Sequence, residues 1–296
     1  MPDHTIEGSI AAIVTPFCDE QVDERALVEL IETQIDEGTH GIVPCGTTGE
    51  SPTLSHKEHM RVIEVTVKTV DGRIPVIAGT GSNSTAEAIA LTQYAEKVGA
   101  DAALIVVPYY NKPTQEGLYR HFKAIAQECG IPLIIYNIPG RSGVNITPET
   151  VARLASDCKS IIGIKEASGS VQQAADIIAL TGDGFTLLSG EDSLNYPILA
   201  LGGKGFISVT ANVLPADLSQ LYNLYKAGEH EKAKELYLRL HSINKALFIE
   251  TNPIPVKTAL ALMGKITDEL RLPLCQMSSP NKARLIETLK SYGLIG

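Results

Sequence analysis

Eight short apolar runs, rich in Ile and Val, punctuate the chain. They are SIAAIVTPF from Ser9, GIVPCG from Gly41, IPVIAGT from Ile74, AALIVVPYY from Ala102, IPLIIYNIP from Ile131, IIGIKEA from Ile161, FTLLSG from Phe185 and GFISVTA from Gly205. Each is continuous rather than alternating, the pattern of a strand buried on both faces of a parallel sheet. Between them lie segments such as ERALVELIETQIDEG and TAEAIALTQYAEKVGA, whose apolar residues recur every three or four positions and which close on glycine, as helices do. Strand starts spaced by about 20–33 residues have the period of βα units.

Eight such units predict an α/β fold of the (β/α)8 TIM-barrel type. A doubly wound open sheet is the alternative, but it rarely uses eight equal repeats in one uninterrupted run. After Asn212 the pattern turns to helix only, through PADLSQLYNLYKAG, EHEKAKELYLRLHSINKALF, PVKTALALMG and SPNKARLIETLKSYG. The expected organisation is therefore a barrel over residues 1–225 and a C-terminal helical appendage over 226–296, with no linker or low-complexity stretch between them.

The 296 residues carry 25 Lys and Arg against 34 Asp and Glu, a formal charge of −9. That balance disfavours a nucleic-acid groove and a membrane surface, both of which call for basic faces. No apolar run approaches the length of a membrane span, and MPDHTIEGS lacks the basic and apolar regions of a secretory signal. Five scattered cysteines without a CxxC pair point to reduced thiols. The expectation is a cytoplasmic protein that acts on small molecules.

In a barrel the chemistry sits at the carboxyl ends of the strands. The residues falling there include Thr15-Pro16, Gly46-Thr47-Thr48-Gly49-Glu50, Gly79-Thr80, Pro108-Tyr109-Tyr110-Asn111, Tyr136-Asn137, Lys165-Glu166, Ser189-Gly190 and Ser208. Lys165 follows Ile161-Ile162-Gly163-Ile164, whereas the other lysines, Lys112, Lys204 and Lys257 among them, read as loop or polar-face residues. A lysine at a dry barrel mouth loses solvation, its pKa falls, and the free amine can condense with a carbonyl as a Schiff base. The competing reading is an ion pair with Glu166 or another carboxylate, with no chemistry.

Other candidates carry two readings each. Tyr136, Tyr109 and Tyr110 suit proton transfer beside a lysine-bound carbonyl, or half-buried packing with a wet tip. GTTGE offers hydroxyls and accessible backbone N–H groups to a carboxylate or phosphate, or makes an ordinary turn. Arg141 is a carboxylate clamp or a surface arginine. Gly79-Thr80-Gly81 lacks a full GxGxxG, and His56 with His59 lacks a clear third metal ligand, so neither nucleotide nor metal is predicted.

Taken together, GTTGE at Gly46, PYYNKPTQEGLYRHF from Pro108, YNIPGRSG at Tyr136 and GIKEASG at Gly163 resemble the dihydrodipicolinate synthase family of pyruvate-dependent class I aldolases, in the same order and spacing over essentially the whole chain. The resemblance implies that Lys165 forms the Schiff base with pyruvate and that Tyr136, Thr47 and Tyr110 relay protons, Tyr110 reaching into a neighbouring subunit of a tight dimer, with two dimers forming a tetramer. It implies that Thr48 holds the pyruvate carboxylate, that Arg141 engages the carboxylate of aspartate 4-semialdehyde, and that Gly190 and Ile207 lie near the substrate. No metal and no bound coenzyme is implied. Arg141 also separates this family from the sialic-acid lyases, which resemble it at the lysine and tyrosine but lack the arginine.

In the feedback-inhibited branch of the family, lysine binds between subunits at positions matching Ser51, His56, His59, Asn83, Glu87 and Tyr109. Pro52 stands beside them where alanine is common, a departure that bears on the loop. A sibling aldolase acting on sugar acids, a non-catalytic ligand-binding barrel and a pyridoxal-phosphate barrel are the competing classes; intact Lys165 and Tyr136, and the lack of a phosphate cup, weigh against the last two.

Overall fold

The computed structural model describes residues 6–296. All eight apolar runs form strands: β1 (Gly8–Ala12), β2 (Gly41–Val43), β3 (Ile77–Gly79), β4 (Ala102–Val106), β5 (Leu133–Asn137), β6 (Ile161–Glu166), β7 (Thr186–Ser189) and β8 (Gly205–Ser208). Every pairing is parallel, in the order β2-β1-β8-β7-β6-β5-β4-β3. A bridge between Ile42 and Val76 brings the two ends together, so the sheet closes on itself. This is the (β/α)8 barrel that the periodicity predicts.

The surrounding helices are α1 (Glu24–Asp36), α2 (His56–Val70), α3 (Thr85–Val98), α4 (Gln115–Glu128), α5 (Pro148–Asp157), α6 (Val171–Thr181), α7 (Asn195–Ala200) and α8 (Pro215–Lys226). Their starts are written locally. Ser55, Ser84, Thr114, Thr147 and Ser170 each precede a helix and accept a hydrogen bond from the backbone N–H three residues on, and Ser55 with Glu58 forms a full capping box. Helix α8 packs on β1. Four more helices follow: α9 (His230–Arg239), α10 (His241–Ala246), α11 (Ile254–Leu262) and α12 (Ser279–Ser291). Among the described residues no helix is long and apolar enough to cross a membrane.

Two packed layers result. Ile10, Ala12, Val43, Ile77, Leu104, Ile134, Leu188 and Ile207 fill the barrel interior. The outward-facing residues of the same strands join the helices in one larger cluster that runs without a break to Leu260, Leu285 and Leu289 of the C-terminal helices. Both strand faces are thus dry, which is why the runs read as continuous.

One element lies outside the sequence reading. Phe17–Cys18 and Gln21–Val22 form an antiparallel hairpin beyond β1, turned by Asp19 and Glu20, both at positive φ. Neither turn residue is the Gly or Asn that advertises such a turn, so SIAAIVTPF looks like one strand. The hairpin sets the Phe17 ring beneath two cations, with Lys257 Nζ 4.2 Å and Arg271 Cζ 4.3 Å from its centroid.

The seam between first and last strands depends on glycine. Gly8 pairs with Gly205, and a Cβ on Gly205 would lie 2.2 Å from the Gly8 carbonyl oxygen, inside any real contact distance. Gly205→Ala is therefore expected to force the seam apart and lower unfolding stability by about 2–3 kcal/mol, measured by urea denaturation. An unchanged midpoint would show that the strands shift freely at this point.

Candidate active site

Strand register assembles the site. A bulge at the start of the β5–β6 pairing moves β6 by one residue: Leu133 sits opposite Ile161, but Ile134 sits opposite Gly163. Tyr136 consequently comes level with Lys165, and Asn137 with Glu166. The Lys165 Nζ lies 4.3 Å from the centroid of the Tyr136 ring. Both side chains are buried, at 6 % exposure each.

No carboxylate reaches the Lys165 amine within ion-pair distance among the described residues. Glu166, the partner in the competing reading, turns the other way. Its Oε1 accepts from the Ser168 backbone N–H at 2.6 Å, and its Oε2 accepts from Asn137 Nδ2 and Gln173 Nε2, each at 3.0 Å. Burial pushes the Lys165 amine down to about 8; Asp192 pulls it up and Arg141 pushes it further down. Burial raises the Tyr136 phenol, an effect opposed by a hydrogen bond with Thr47 and by the Arg141 charge.

Gly190 leaves room for the lysine stem. A Cβ there would lie 3.0 Å from both Cγ and Cε of Lys165 and 2.7 Å from Ala167 Cβ. Ile207 is buried in the interior layer below, opposite Ile10. Asp192, which the sequence reading passed over, is buried just beyond β7. Its Oδ2 accepts from the backbone N–H groups of Val209 and Thr210 at 2.9 and 3.0 Å and from the Thr210 hydroxyl at 3.2 Å. Its only sequence signal is its place at the end of a barrel strand.

A cavity of about 420 Å³ reaches Tyr136, while Lys165, Thr48, Gly190 and Ile207 are not among its lining residues. Thr47, Tyr136, Arg141 and Asn252 line it, and so do Ser51, His56, His59, Glu87 and Tyr109. Thr48 is buried and its Oγ1 accepts from Asn252 Nδ2 at 3.0 Å. Arg141 stands on a one-turn helix, Pro139–Ser142, and its Nη2 donates to the Asn252 carbonyl oxygen at 2.9 Å. The other guanidinium N–H groups have no partner among the described residues, which suits a carboxylate arriving from the cavity.

At the far end, Glu87 accepts from the Ser82 hydroxyl and pairs with His56 Nε2 at 2.6 Å. Those contacts, the Ser82 hydrogen bond foremost, hold its carboxyl below the ordinary range. Burial lowers the His59 imidazole, so it is neutral and its Nε2–H donates to the Gly79 carbonyl at 2.7 Å. Asn83 lies beside this end, donating to the Tyr109 carbonyl at 3.3 Å. Tyr110 stands apart: its side chain is 90 % exposed on a backbone at φ +70°, and within one chain it does not reach the buried Lys165.

Lys257 requires a correction. It reads as a loop or polar-face lysine, yet it is wholly buried in α11 and its Nζ pairs with Glu50 Oε1 at 2.6 Å, both side chains inaccessible to solvent. The Arg271 backbone N–H donates to the other Glu50 oxygen at 3.2 Å. The available signal was IPVKTALAL, a helix apolar on every side, which marks a buried segment. The strap from Asn252 to Arg271 thereby closes over GTTGE at the carboxyl end of the barrel. Among the described residues no group of three or more His, Cys, Asp or Glu is gathered to hold a metal ion.

An enclosed amine without a counter-ion, beside a phenol, is equipped to attack a carbonyl. Attack requires the neutral amine, whose fraction falls roughly tenfold per pH unit below its pKa. Imine formation with a small keto acid, followed by borohydride trapping, is therefore expected to accelerate from pH 6 and to level off above about pH 8. A rate flat across that range would remove Lys165 as the attacking group.

Known proteins resemble this chain in sequence and in fold. The profile of the Dihydrodipicolinate synthetase family matches residues 5–292. The chain is 63 % identical over 289 residues to the 4-hydroxy-tetrahydrodipicolinate synthase of Thermodesulfovibrio yellowstonii, covering 98 % of this chain and 99 % of that one. The chloride-inhibited dihydrodipicolinate synthase of Acinetobacter baumannii, solved in complex with pyruvate, superposes with a TM-score of 0.96 at 47 % identity, covering 98 % of this chain and all of the other. The enzyme of Cyanidioschyzon merolae, solved with lysine bound, gives 0.96 at 40 % identity over 99 % of this chain and all of the other. Matched over nearly its full length in sequence and in structure, the chain belongs to the dihydrodipicolinate synthetase family and is a lyase.

Proposed function

We propose that the protein condenses pyruvate with L-aspartate 4-semialdehyde to 4-hydroxy-tetrahydrodipicolinate, the committed step of the diaminopimelate route to lysine. The observation that carries this reading is the Lys165 amine, buried, without an ion-pair partner among the described residues, and level with Tyr136. The amine adds to the keto carbon of pyruvate and water leaves, forming a protonated imine. That electron sink lets the methyl group lose a proton and become an enamine. The enamine carbon attacks the aldehyde of the second substrate, whose oxygen takes up a proton. The substrate's own amine then displaces Lys165 by transimination, closing the ring and freeing the enzyme.

Tyr136 and Thr47 supply the proton path, Thr48 holds the pyruvate carboxylate, and Arg141 receives the carboxylate of the semialdehyde. Gly190 and Ile207 shape the pocket around the imine. Tyr110, exposed at the end of β4, completes the relay in a neighbouring subunit, so the active form is a tight dimer and two dimers make the tetramer. Residues 226–296 form the C-terminal helical unit, and the protein works in the cytoplasm.

The regulatory reading concerns the other end of the cavity. Glu87, held ionised, takes the ammonium of free lysine, and Asn83 and Tyr109 take its carboxylate, with Ser51, His56 and His59 shaping the site. A relative solved with lysine bound supports lysine as the ligand.

Borohydride reduction in the presence of pyruvate is expected to leave one reduced adduct on Lys165, and aspartate semialdehyde to be consumed in preference to a sugar aldehyde or N-acetylmannosamine. Preferential use of the sugar substrates would reassign the chain to a sibling lyase, and an active protein with no adduct would end the imine mechanism. Millimolar lysine is expected to lower turnover, and Glu87→Gln to abolish that inhibition while retaining activity. Turnover indifferent to lysine would remove the regulatory site.

A further inference from the structure

We infer that Asn252 is a positioning residue for the first substrate: its side-chain amide orients the Thr48 hydroxyl, and so sets how tightly the keto-acid carboxylate is held. The inference rests on the proposed pyruvate chemistry. Asn252 is 5 % exposed and lies on the loop before α11, 204 residues from Thr48 in sequence. Its Nδ2 donates to Thr48 Oγ1 at 3.0 Å. A hydroxyl has a single hydrogen, and one whose oxygen already accepts must point that hydrogen elsewhere. No acceptor for it lies among the described residues. The amide thus leaves Thr48 as an open donor, the polarity that a carboxylate requires.

A second observation sets Asn252 apart from an ordinary structural amide. Its Oδ1 is buried without a hydrogen-bond partner among the described residues. A buried carbonyl oxygen left unsatisfied is unfavourable, and an apolar side chain would avoid it. An amide at this position makes physical sense if its donor end is needed at Thr48. The loop is also held from both sides. The Asn252 backbone carbonyl accepts from Arg141 Nη2 at 2.9 Å, and five residues on, the buried Lys257–Glu50 pair locks the strap to the same GTTGE loop that carries Thr48. The side chain therefore serves the first substrate, while the backbone steadies the arginine assigned to the second.

This division gives a signature that a merely structural role lacks. Asn252→Ala is expected to raise the pyruvate concentration for half-maximal borohydride trapping about tenfold. Saturation by the aldehyde at high pyruvate should be unchanged, because the backbone contact to Arg141 survives. In a Thr48→Val background the same substitution should change trapping less than about twofold, since the group it acts through is gone. Asn252→Asp, of the same size, keeps an acceptor but loses the donor; Thr48 must then turn its hydrogen toward the new carboxylate, and the loss should equal or exceed that of alanine. Circular dichroism identifies a variant that has failed to fold, and the isosteric aspartate supplies the test if alanine does.

Wild-type pyruvate saturation in Asn252→Asp, or an alanine effect that is undiminished beside Thr48→Val, would overturn the inference. An unmutated protein that traps no pyruvate on Lys165 would instead overturn the proposed function. A wild type that traps normally, with Asn252 variants that saturate like it, removes only the role given to Asn252.

Discussion

Two ammonium groups are enclosed at the carboxyl end of this barrel, and the difference between them organises everything around them. Lys257 has a carboxylate at 2.6 Å and is a structural cation. Lys165 has no such partner among the described residues and faces the ring of Tyr136. Burial disfavours charge on both, but a paired charge is compensated where an unpaired one is not. Removing one member of a buried pair typically costs about 3–5 kcal/mol, so Lys257 and Glu50 hold each other in place. The lone amine meets the same penalty by giving up its proton more easily, which is the condition for nucleophilic chemistry.

The same ion pair explains why a helical tail belongs to the site of a barrel. Through Asn252, Lys257 and Arg271 the tail grips the GTTGE loop at Thr48, at both Glu50 oxygens and at the Thr53 carbonyl. Glu50 itself sits in the left-handed backbone region, a conformation that a non-glycine residue keeps when its surroundings hold it there. The loop that presents two threonine hydroxyls is thus shaped from outside the barrel. The cavity above Tyr136 runs on without interruption toward His56 and Glu87, and the same loop lines both ends. Anything that settles at one end meets residues covalently continuous with those at the other.

The architecture was legible because its causes are local and repeated. Eight dry strands, Ser and Thr caps at the helix starts, and a hydrophobic period that switches at each junction all act within a few residues of one another. The place of Lys165 was legible for the same reason: an ionisable residue directly after an apolar strand run has few places to go. Even so, proximity in sequence misled in one respect. Glu166 is the nearest carboxylate along the chain, but side chains alternate along a strand, and it points into a network of Asn137, Gln173 and Ser168 instead.

What the amino-acid order determined alone was the barrel, the strand that carries Lys165 and the strand-end loops, since periodicity and strand-end position need only neighbouring residues. What only the folded chain decided was which groups are neighbours across it. A one-residue bulge brought Tyr136 level with Lys165. A hairpin without glycine placed an aromatic face under two cations. A lysine 207 positions from its partner became the core of the strap. Contacts of that span arise from closing a ring and packing a tail against it, and no local pattern of hydrophobic and polar residues encodes them.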